Sequence, residues 1–253
     1  MANNYIHIPF KEKNKPIFRI ISISRLLEMF DLKKNTLLKP KLWDDPFENF
    51  VCKSTFQSEN GKTFKFPFRN RSYGQCWTLK NESDAMWRIY APNKDGAKIE
   101  TTIKTLFDSL RNENQSNYPR SSCFIGKVKY YKQEELQKLI VNPDRVFELM
   151  KGENSPSEGH AKTLLLKRKE FNHEEEVRLL YLYHRDDGDD IYQYPCDPFK
   201  LVTSITLDPR MDPRVYEVYK TFFTRIEYEG NVDQSKLYSI PQLTVAYKSP
   251  DFK

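Results

Sequence analysis

Residues 171–183 read F-N-H-E-E-E-V-R-L-L-Y-L-Y, a stretch that reads as a β-strand entered from a cluster of acids. On a strand alternate side chains share a face. Glu174, Glu176 and Arg178 therefore fall on one side, and Val177, Leu179, Tyr181 and Tyr183 on the other. Three ionisable groups on one side of an apolar strand are costly to bury unless they are paired or used. The pattern alone leaves two readings open. One is a solvated sheet face on which Arg178 bridges two carboxylates; the other is an acidic catalytic pair held on a rigid strand.

The flanking sequence sets that strand among helices and further strands. Downstream, D-D-G-D-D at 186–190 predicts a hairpin turn joining it to a strand at Ile191–Tyr194. A strand at Leu201–Leu207, a helix around Pro213–Phe222 and a strand at Thr224–Tyr228 follow. Upstream, A-K-T-L-L-L-K-R-K-E reads as a basic helix, and 151–160, rich in Gly, Ser and Pro, as a flexible loop. Helical pieces broken at Pro143 occupy Gln133–Leu149, after a strand at Cys123–Tyr131 and a polar loop at Asn112–Ser122.

The chain opens its structured part with the apolar alternation I-F-R-I-I-S-I-S after Pro16. Ser24 is placed to cap a helix over Arg25–Leu32. Residues 57–72 suggest a hairpin or exposed basic loop, Tyr73–Leu79 a strand and Glu82–Tyr90 a helix. Gly96, a candidate for a positive-φ turn, leads into the strand A-K-I-E-T-T-I, with a helix over Lys104–Arg111. No internal repeat or clean linker emerges. The expectation is an N-terminal extension over 1–16 and one α+β domain over 17–253, with split mixed or antiparallel β-sheets flanked by helices.

The 253 residues suffice for a substantial core, and 14% aromatic content means rings carry much of it. A formal net charge of +6 suits a polyanionic partner without signalling a dedicated nucleic-acid binder. Cys52, Cys76, Cys123 and Cys196 are widely spaced, against a zinc site or disulfide scaffold. The first residues lack an apolar core of signal-peptide length, and no apolar run is long enough to span a bilayer. A reduced, soluble, cytoplasmic protein without membrane partners is expected. Glycine is scarce, with no Walker or G-x-G-x-x-G loop. His173-Glu174 does not extend to a metalloprotease motif, because position 177 is Val.

Three separated segments form a set: F-R-I-I-S-I-S-R-L-L-E-M-F continuing to K-P-K-L-W-D-D-P-F-E, then Q-C-W-T-L-K followed by M-W-R-I-Y-A-P-N-K-D-G, then E-E-E-V-R. Together they resemble a broad bacterial family of uncharacterised domains with N-D-P-F-E, M-W-x-x-Y-A and E-x-E-x-R. Asp44 stands in place of the usual Asn, and Cys76-Trp77-Thr78 where small hydroxyl residues are common. The order of the segments is also similar to the ADP-ribosyltransferase superfamily. There an Arg or His on the first strand precedes a Ser/Thr-centred strand and a late Glu-x-Glu strand.

That second resemblance implies an ADP-ribosyltransferase-like fold, NAD as substrate, no metal, and Arg19, Thr78, Glu174 and Glu176 as site residues. Breaking the nicotinamide–ribose bond passes through an oxocarbenium-like state. Glu176 would stabilise the developing charge, Glu174 would orient or deprotonate the acceptor, and Arg19 would offer a planar fork to the diphosphate or ribose. Thr78 would brace the carboxylate strand. Trp87 and Tyr90, three apart on a helix, share a face where a ring could stack on nicotinamide. Each residue also has a plainer reading: Arg19 as a strand arginine paired to an acid, Thr78 as an ordinary strand hydroxyl, Trp87 and Tyr90 as core. The D-D-P-F-E segment also reads simply as a turn.

The resemblance further implies a toxin or phage-defence effector held by an antitoxin. It would modify a macromolecule, RNA favoured, with DNA or a protein also compatible and plain NAD hydrolysis left open. Two other classes stay open. Asp44 or Asp45 with Glu174, Glu176 and Arg178 would suit a magnesium-dependent nuclease. Alternatively, the acidic strand is structural, in a non-catalytic recognition domain.

Overall fold

The computed structural model describes residues 4–43, 45, 48, 50, 54–57, 60–65, 67–113, 122–152, 155–183, 188–241 and 244. Its strands, in chain order, are β1 (Tyr5–Ile6), β2 (Pro16–Ser22), β3 (Lys34–Leu38), β4 (Thr55–Gln57), β5 (Thr63–Lys65), β6 (Ser72–Thr78) and β7 (Gly96–Thr102). There follow β8 (Cys123–Lys127), β9 (Lys129–Tyr131), β10 (Leu166–Arg168), β11 (Glu176–Leu182), β12 (Ile191–Pro195), β13 (Ser204–Leu207) and β14 (Asn231–Gln234). The helices are α1 (Ile23–Leu32), α2 (Asp84–Tyr90), α3 (Ile103–Glu113), α4 (Gln133–Ile140), α5 (Pro143–Lys151), α6 (Pro156–Thr163), α7 (Pro198–Leu201) and α8 (Pro213–Arg225).

The main sheet runs β1-β8-β11-β6-β2-β7-β13-β14, and β3 branches from β6 to carry β12. Its outer pairs β1–β8 and β13–β14 are parallel and the inner pairs antiparallel, which makes the sheet mixed. The architecture is α+β, as the alternation of strand and helix patterns implied. Residues ahead of Pro16 take part in it, since β1 pairs with β8 and Ile6 and Ile8 are buried.

One feature of the topology makes the site. The central strands β2 and β6 are joined by the single pair Phe18–Thr78. Beyond it β2 continues alongside β7, whereas β6 pairs with β11 over seven residues and with β3 at Gly74. The sheet therefore splits, and Arg19 on β2 and Cys76 and Gln75 on β6 lie past the junction. The expected split sheet is present.

Both faces of the sheet are covered. On one, Val177, Leu179 and Tyr181 pack with Ile17, Ile99, α1 and α3. On the other, Leu180 and Leu182 pack with Phe124 and with Ala161, Leu164 and Leu165 at the end of α6. At about 25 cal/mol per Å² of apolar surface, such two-sided burial is what anchors β11 as a rigid strand.

Several expected elements differ. The solvated face proposed for β11 does not exist: all seven residues are buried, and Arg178 is 0% exposed. Glu174 is not on the strand. It ends a 3-10 helix over Lys169–Glu174, and Glu175 follows in the left-handed region at φ 44°. The flexible loop expected at 151–160 includes the first half of α6, whose Ser155 cap and Pro156 at the first turn are helix-start signals; residues 153–154 lie outside the described ones. The basic helix over 161–170 is instead the end of α6 followed by β10, because residues 166–168 pair with β9. The cap of α1 is Ser22, two residues earlier than expected.

The expected strand at Cys123–Tyr131 is broken into β8 and β9, and β9 pairs with β10 in a separate small sheet. Ile191–Pro195 pairs with β3, so it forms no hairpin with β11; residues 184–187 of the intervening segment lie outside the described ones. The strand expected at Thr224–Tyr228 is the end of α8 and the turn after it, and β14 follows. Gly96 has no positive φ; a Cβ there would sit 2.4 Å from that of Ala91, so it is the close approach of the chain after α2 that requires glycine.

Candidate active site

The split between β2 and β6 opens into three recesses, all of which reach Arg19. The first, of about 470 Å³, is lined by Ile20, Trp77, Thr78 and Met86 and ends on Glu174 and Glu176. The second, of about 690 Å³, runs along α1 and β3 past Arg25, Asn35 and Gln75. The third, of about 950 Å³, shares Cys76, Tyr90, Glu174 and Glu176 with the first and extends to Trp43 and Phe171. These are recesses open to solvent, with polar groups concentrated at a few points.

A buried ionic cluster forms the acidic end. Arg178 lies beneath Glu176, donating to its Oε2 from Nε at 2.9 Å and from Nη2 at 2.5 Å. The same guanidinium reaches Glu48 Oε1 at 2.8 Å and the Leu164 carbonyl at 2.7 Å, and stacks on the Trp43 ring 4.4 Å away. Lys167, presented by β10, touches three carboxylates: Glu48 at 2.8 Å, Glu174 at 2.5 Å and Glu176 at 3.2 Å. Three carboxylates against two cations leave one net negative charge, and every member is buried.

The two catalytic candidates titrate in opposite directions. Burial raises Glu174, the nearby Glu176 charge adds to the rise, and Lys167 does not offset it. Burial also disfavours ionised Glu176, but Arg178 and Lys167 outweigh it and hold that carboxyl below its usual range. Carboxylates whose surroundings drive them apart divide naturally into a permanent anion and a proton acceptor. Burial, then the Glu174 charge, pushes the Tyr90 phenol up, so it stays protonated and donates to Glu174 Oε1 at 3.3 Å.

Thr78 is hydrogen-bonded on both sides. Its Oγ1 donates to the Glu174 carbonyl at 2.5 Å and accepts from Lys80 N at 2.9 Å. With the pairing of Thr78 and Glu176 across β6 and β11, this fixes both glutamates to one point of the sheet. The bond holds the turn at left-handed Glu175, which swings Glu174 back beside Glu176 although strand alternation no longer applies.

Arg19 stands apart. It is half-buried on β2, burial lowers its pKa, and among the described residues its guanidinium takes no hydrogen bond or ion pair. An uncompensated guanidinium in a cleft is costly unless something anionic binds it. The reading of Arg19 as a strand arginine paired to an acid therefore has no partner to point to. Trp87 does not reach the cleft. It is 0% exposed, packed with Ile20, Met86 and Ala91, and its Nε1 donates to Glu82 at 2.7 Å. Of the two aromatic candidates only Tyr90 lines the site.

For the nuclease alternative, Asp44 lies outside the described residues. Asp45 is bonded to Arg168 at 2.9 Å, and Glu174 and Glu176 hold Lys167. The carboxylates of a hydrated-metal site are thus already engaged by cations, and no metal-holding group occurs among the described residues. Lys167, Glu48 and Trp43 were not singled out as site residues. Glu48 closes the D-D-P-F-E segment, where Glu48 N donates to the Asp45 carbonyl at 3.0 Å as a turn should, yet its side chain goes to the cluster. His173 is exposed at the rim.

A family model described as a protein of unknown function (DUF2971) matches residues 86–179. That span holds M-W-R-I-Y-A and E-E-E-V-R, two of the segments on which a resemblance to uncharacterised domains was read. No curated protein sequence matches the chain. Among solved structures it is similar to Thermus sp. 2.9 DarT in complex with NAD+, at 11% identity and a TM-score of 0.38, over 90% of this chain and 98% of that one. It is also similar to DarT of that organism in complex with ADP-ribosylated ssDNA, at 10% identity and a TM-score of 0.40, over 91% and 97%. Among the described residues no helix is long and apolar enough to cross a membrane.

Proposed function

We propose that the chain is an NAD-dependent ADP-ribosyltransferase acting on a macromolecule, with NAD lying in the split between β2 and β6. The observation that carries this is a buried anion and a cation in one cleft: Glu176, ionised by Arg178 and Lys167, and Arg19, which has no counter-charge among the described residues. In this reading the diphosphate meets Arg19. The nicotinamide riboside enters the first recess between Ile20, Trp77 and Met86, and the adenosine half extends into the second.

Glu176 then faces the ribose whose C1′ becomes positive as the nicotinamide bond lengthens, which a fixed anion in a dry site stabilises strongly. Glu174, whose proton affinity is raised, takes the proton of the incoming nucleophile. Tyr90 and Thr78 hold Glu174 in place. The DarT complexes supply the ligands to try first, NAD+ and single-stranded DNA; RNA, the acceptor favoured from sequence, is tried beside them. The wider role of a cytoplasmic toxin or anti-phage effector with an antitoxin rests on the family resemblance.

Incubating the purified protein with NAD labelled in its adenosine half, together with nucleic acid or lysate, with and without EDTA, tests the proposal. Label transfer that persists in EDTA and fails in Glu176→Gln is the expected result. Strand cleavage that needs a divalent metal and ignores NAD would replace this reading by the nuclease one.

A further inference from the structure

Tyr90 is the group that α2 brings to Glu174, yet the helix gives it little hold of its own. α2 is seven residues long, and its buried side chains share a small cluster of Ile20, Met86, Trp87 and Ala91 set apart from the main cores. A helix that short owes its form to contacts from outside. Tyr90 stands at its last position and is 40% exposed. Packing alone therefore does not pin the phenol on Glu174, where its bond is 3.3 Å.

What holds α2 comes from the far edge of the sheet. Arg210, in the turn after β13, donates from Nη2 to the Trp87 carbonyl at 3.0 Å and to the Ala91 carbonyl at 2.6 Å. These two carbonyls flank Tyr90 along the chain, so the grip fixes the turn that carries it. A cation there also meets the negative end of the helix dipole. The guanidinium is aimed by Asp208, which accepts from Nε at 2.9 Å and from Nη2 at 2.7 Å and is 0% exposed. Asp208 is anchored in turn, its own N–H donating to the Gly96 carbonyl at 3.0 Å. At the other end of α2 the hydroxyls of Ser235 and Tyr238, which follow β14, donate to Glu82 and Asp84. Arg210 lines none of the three recesses. It reaches them only through the helix.

Resting on the NAD reading above, we propose that Arg210 is a positioning residue for the transfer, holding the last turn of α2 so that Tyr90 stays hydrogen-bonded to Glu174. Glu174 also faces Lys167 of β10 and Glu176 of β11, with the Tyr130 hydroxyl of β9 and the Cys76 thiol of β6 nearby. Arg210 bonds to none of these, its partners being Asp208, Trp87 and Ala91. Its influence on Glu174 therefore runs through Tyr90. A hydroxyl that donates to a carboxylate favours the ionised form. Without that bond Glu174 takes up its proton at higher pH, and less of it can accept a proton from the nucleophile. A hydrogen bond of ordinary net strength moves a titration by about half to one pH unit, or roughly 3- to 10-fold in rate on the rising limb.

The test is a double-mutant cycle on the full chain. Nicotinamide released from saturating NAD is followed across pH, with the nucleic acid or lysate that wild type labels. Arg210→Met is made together with Asp208→Asn, so that no bare carboxylate is buried and the side-chain oxygen at 208 still accepts the N–H of residue 210. The rising limb should move up by about half to one pH unit, as in Tyr90→Phe alone. Added to Tyr90→Phe, the same pair should move it by less than about 0.2 unit further, because the bond it maintains is already gone. Should the pair not fold, Arg210→Lys is measured instead. It keeps the charge beside Asp208 without the fork that bonds Asp208 and both carbonyls at once, and should shift the limb the same way by less. A limb left in place in a folded variant, or a shift that adds in full to that of Tyr90→Phe, would mean that Arg210 serves the fold alone and overturns the inference. If wild type releases no nicotinamide, the reading it rests on fails instead.

Discussion

Replacing Glu176 with Gln separates the catalytic account from a structural one, because the structure sets the two costs differently. The substitution keeps shape and removes one charge. Gln retains a carbonyl oxygen for Arg178, now 2.9 and 2.5 Å from the carboxylate, and turns an amide toward Lys167, where the present contact is 3.2 Å. Neither cation is orphaned, since Glu48 still lies 2.8 Å from both. The stability loss is therefore that of a weakened buried hydrogen bond, about 1–3 kcal/mol, below the 3–5 kcal/mol or so of a buried pair broken outright. Catalysis loses its fixed anion, about 10²–10³-fold in turnover, or roughly 3–4 kcal/mol.

The pH dependence carries a sign that can be checked. Glu176 is held below the ordinary carboxylate value by Arg178 and Lys167 against the opposing effect of burial. Its contribution to stability is complete above that ordinary value and fades as pH falls through the lowered one. The gap in unfolding free energy between wild type and Glu176→Gln should narrow in acid. Denaturant melts across pH, with label transfer measured on the folded variant, read both quantities. Turnover within about threefold of wild type in a folded Glu176→Gln protein would refute the assignment of Glu176 to the ribose.

Three further outcomes follow from the same geometry. Arg19→Met should leave thermal stability unchanged or raised by up to about 1 kcal/mol, since a half-buried charge without a partner among the described residues is removed, while the NAD dissociation constant in a titration rises about tenfold or more. Lys167→Met strips the ammonium from three buried carboxylates and leaves Glu174 with the Tyr90 hydroxyl. That should destabilise by about 3–5 kcal/mol at neutral pH and less in acid, where Glu174, already raised by burial and by Glu176, is protonated, and should move the rising limb of the rate–pH profile to higher pH. Gly74→Ala places a methyl 2.6 Å from Trp43 Cζ2; the ring must leave its stack on Arg178, at about 1–3 kcal/mol in a urea melt.

Much of the fold was legible because period and caps agree where one side of an element is core. The apolar alternation after Pro16 becomes β2, and the helical spacing of Leu26 and Phe30 becomes α1. Reading failed where tertiary contacts override local pattern. The segment L-K-R at 166–168 has helix-forming residues, yet it is a strand because pairing with β9 aims Lys167 into the cluster. Glu174 and Glu176 were brought together for the wrong local reason: strand alternation was assumed, and a left-handed Glu175 does the work. Glu48 is distant in sequence, and no short-range rule could join it to Arg178. Trp87 shows the converse, since helical spacing cannot say which of two rings on one face stays in the core.

The most direct measurement is the structure of the chain with a non-hydrolysable NAD analogue. The account predicts the nicotinamide ribose within hydrogen-bond distance of Glu176 and the diphosphate on the Arg19 guanidinium. An analogue bound elsewhere, or excluded from the cleft at saturating concentration, would contradict it.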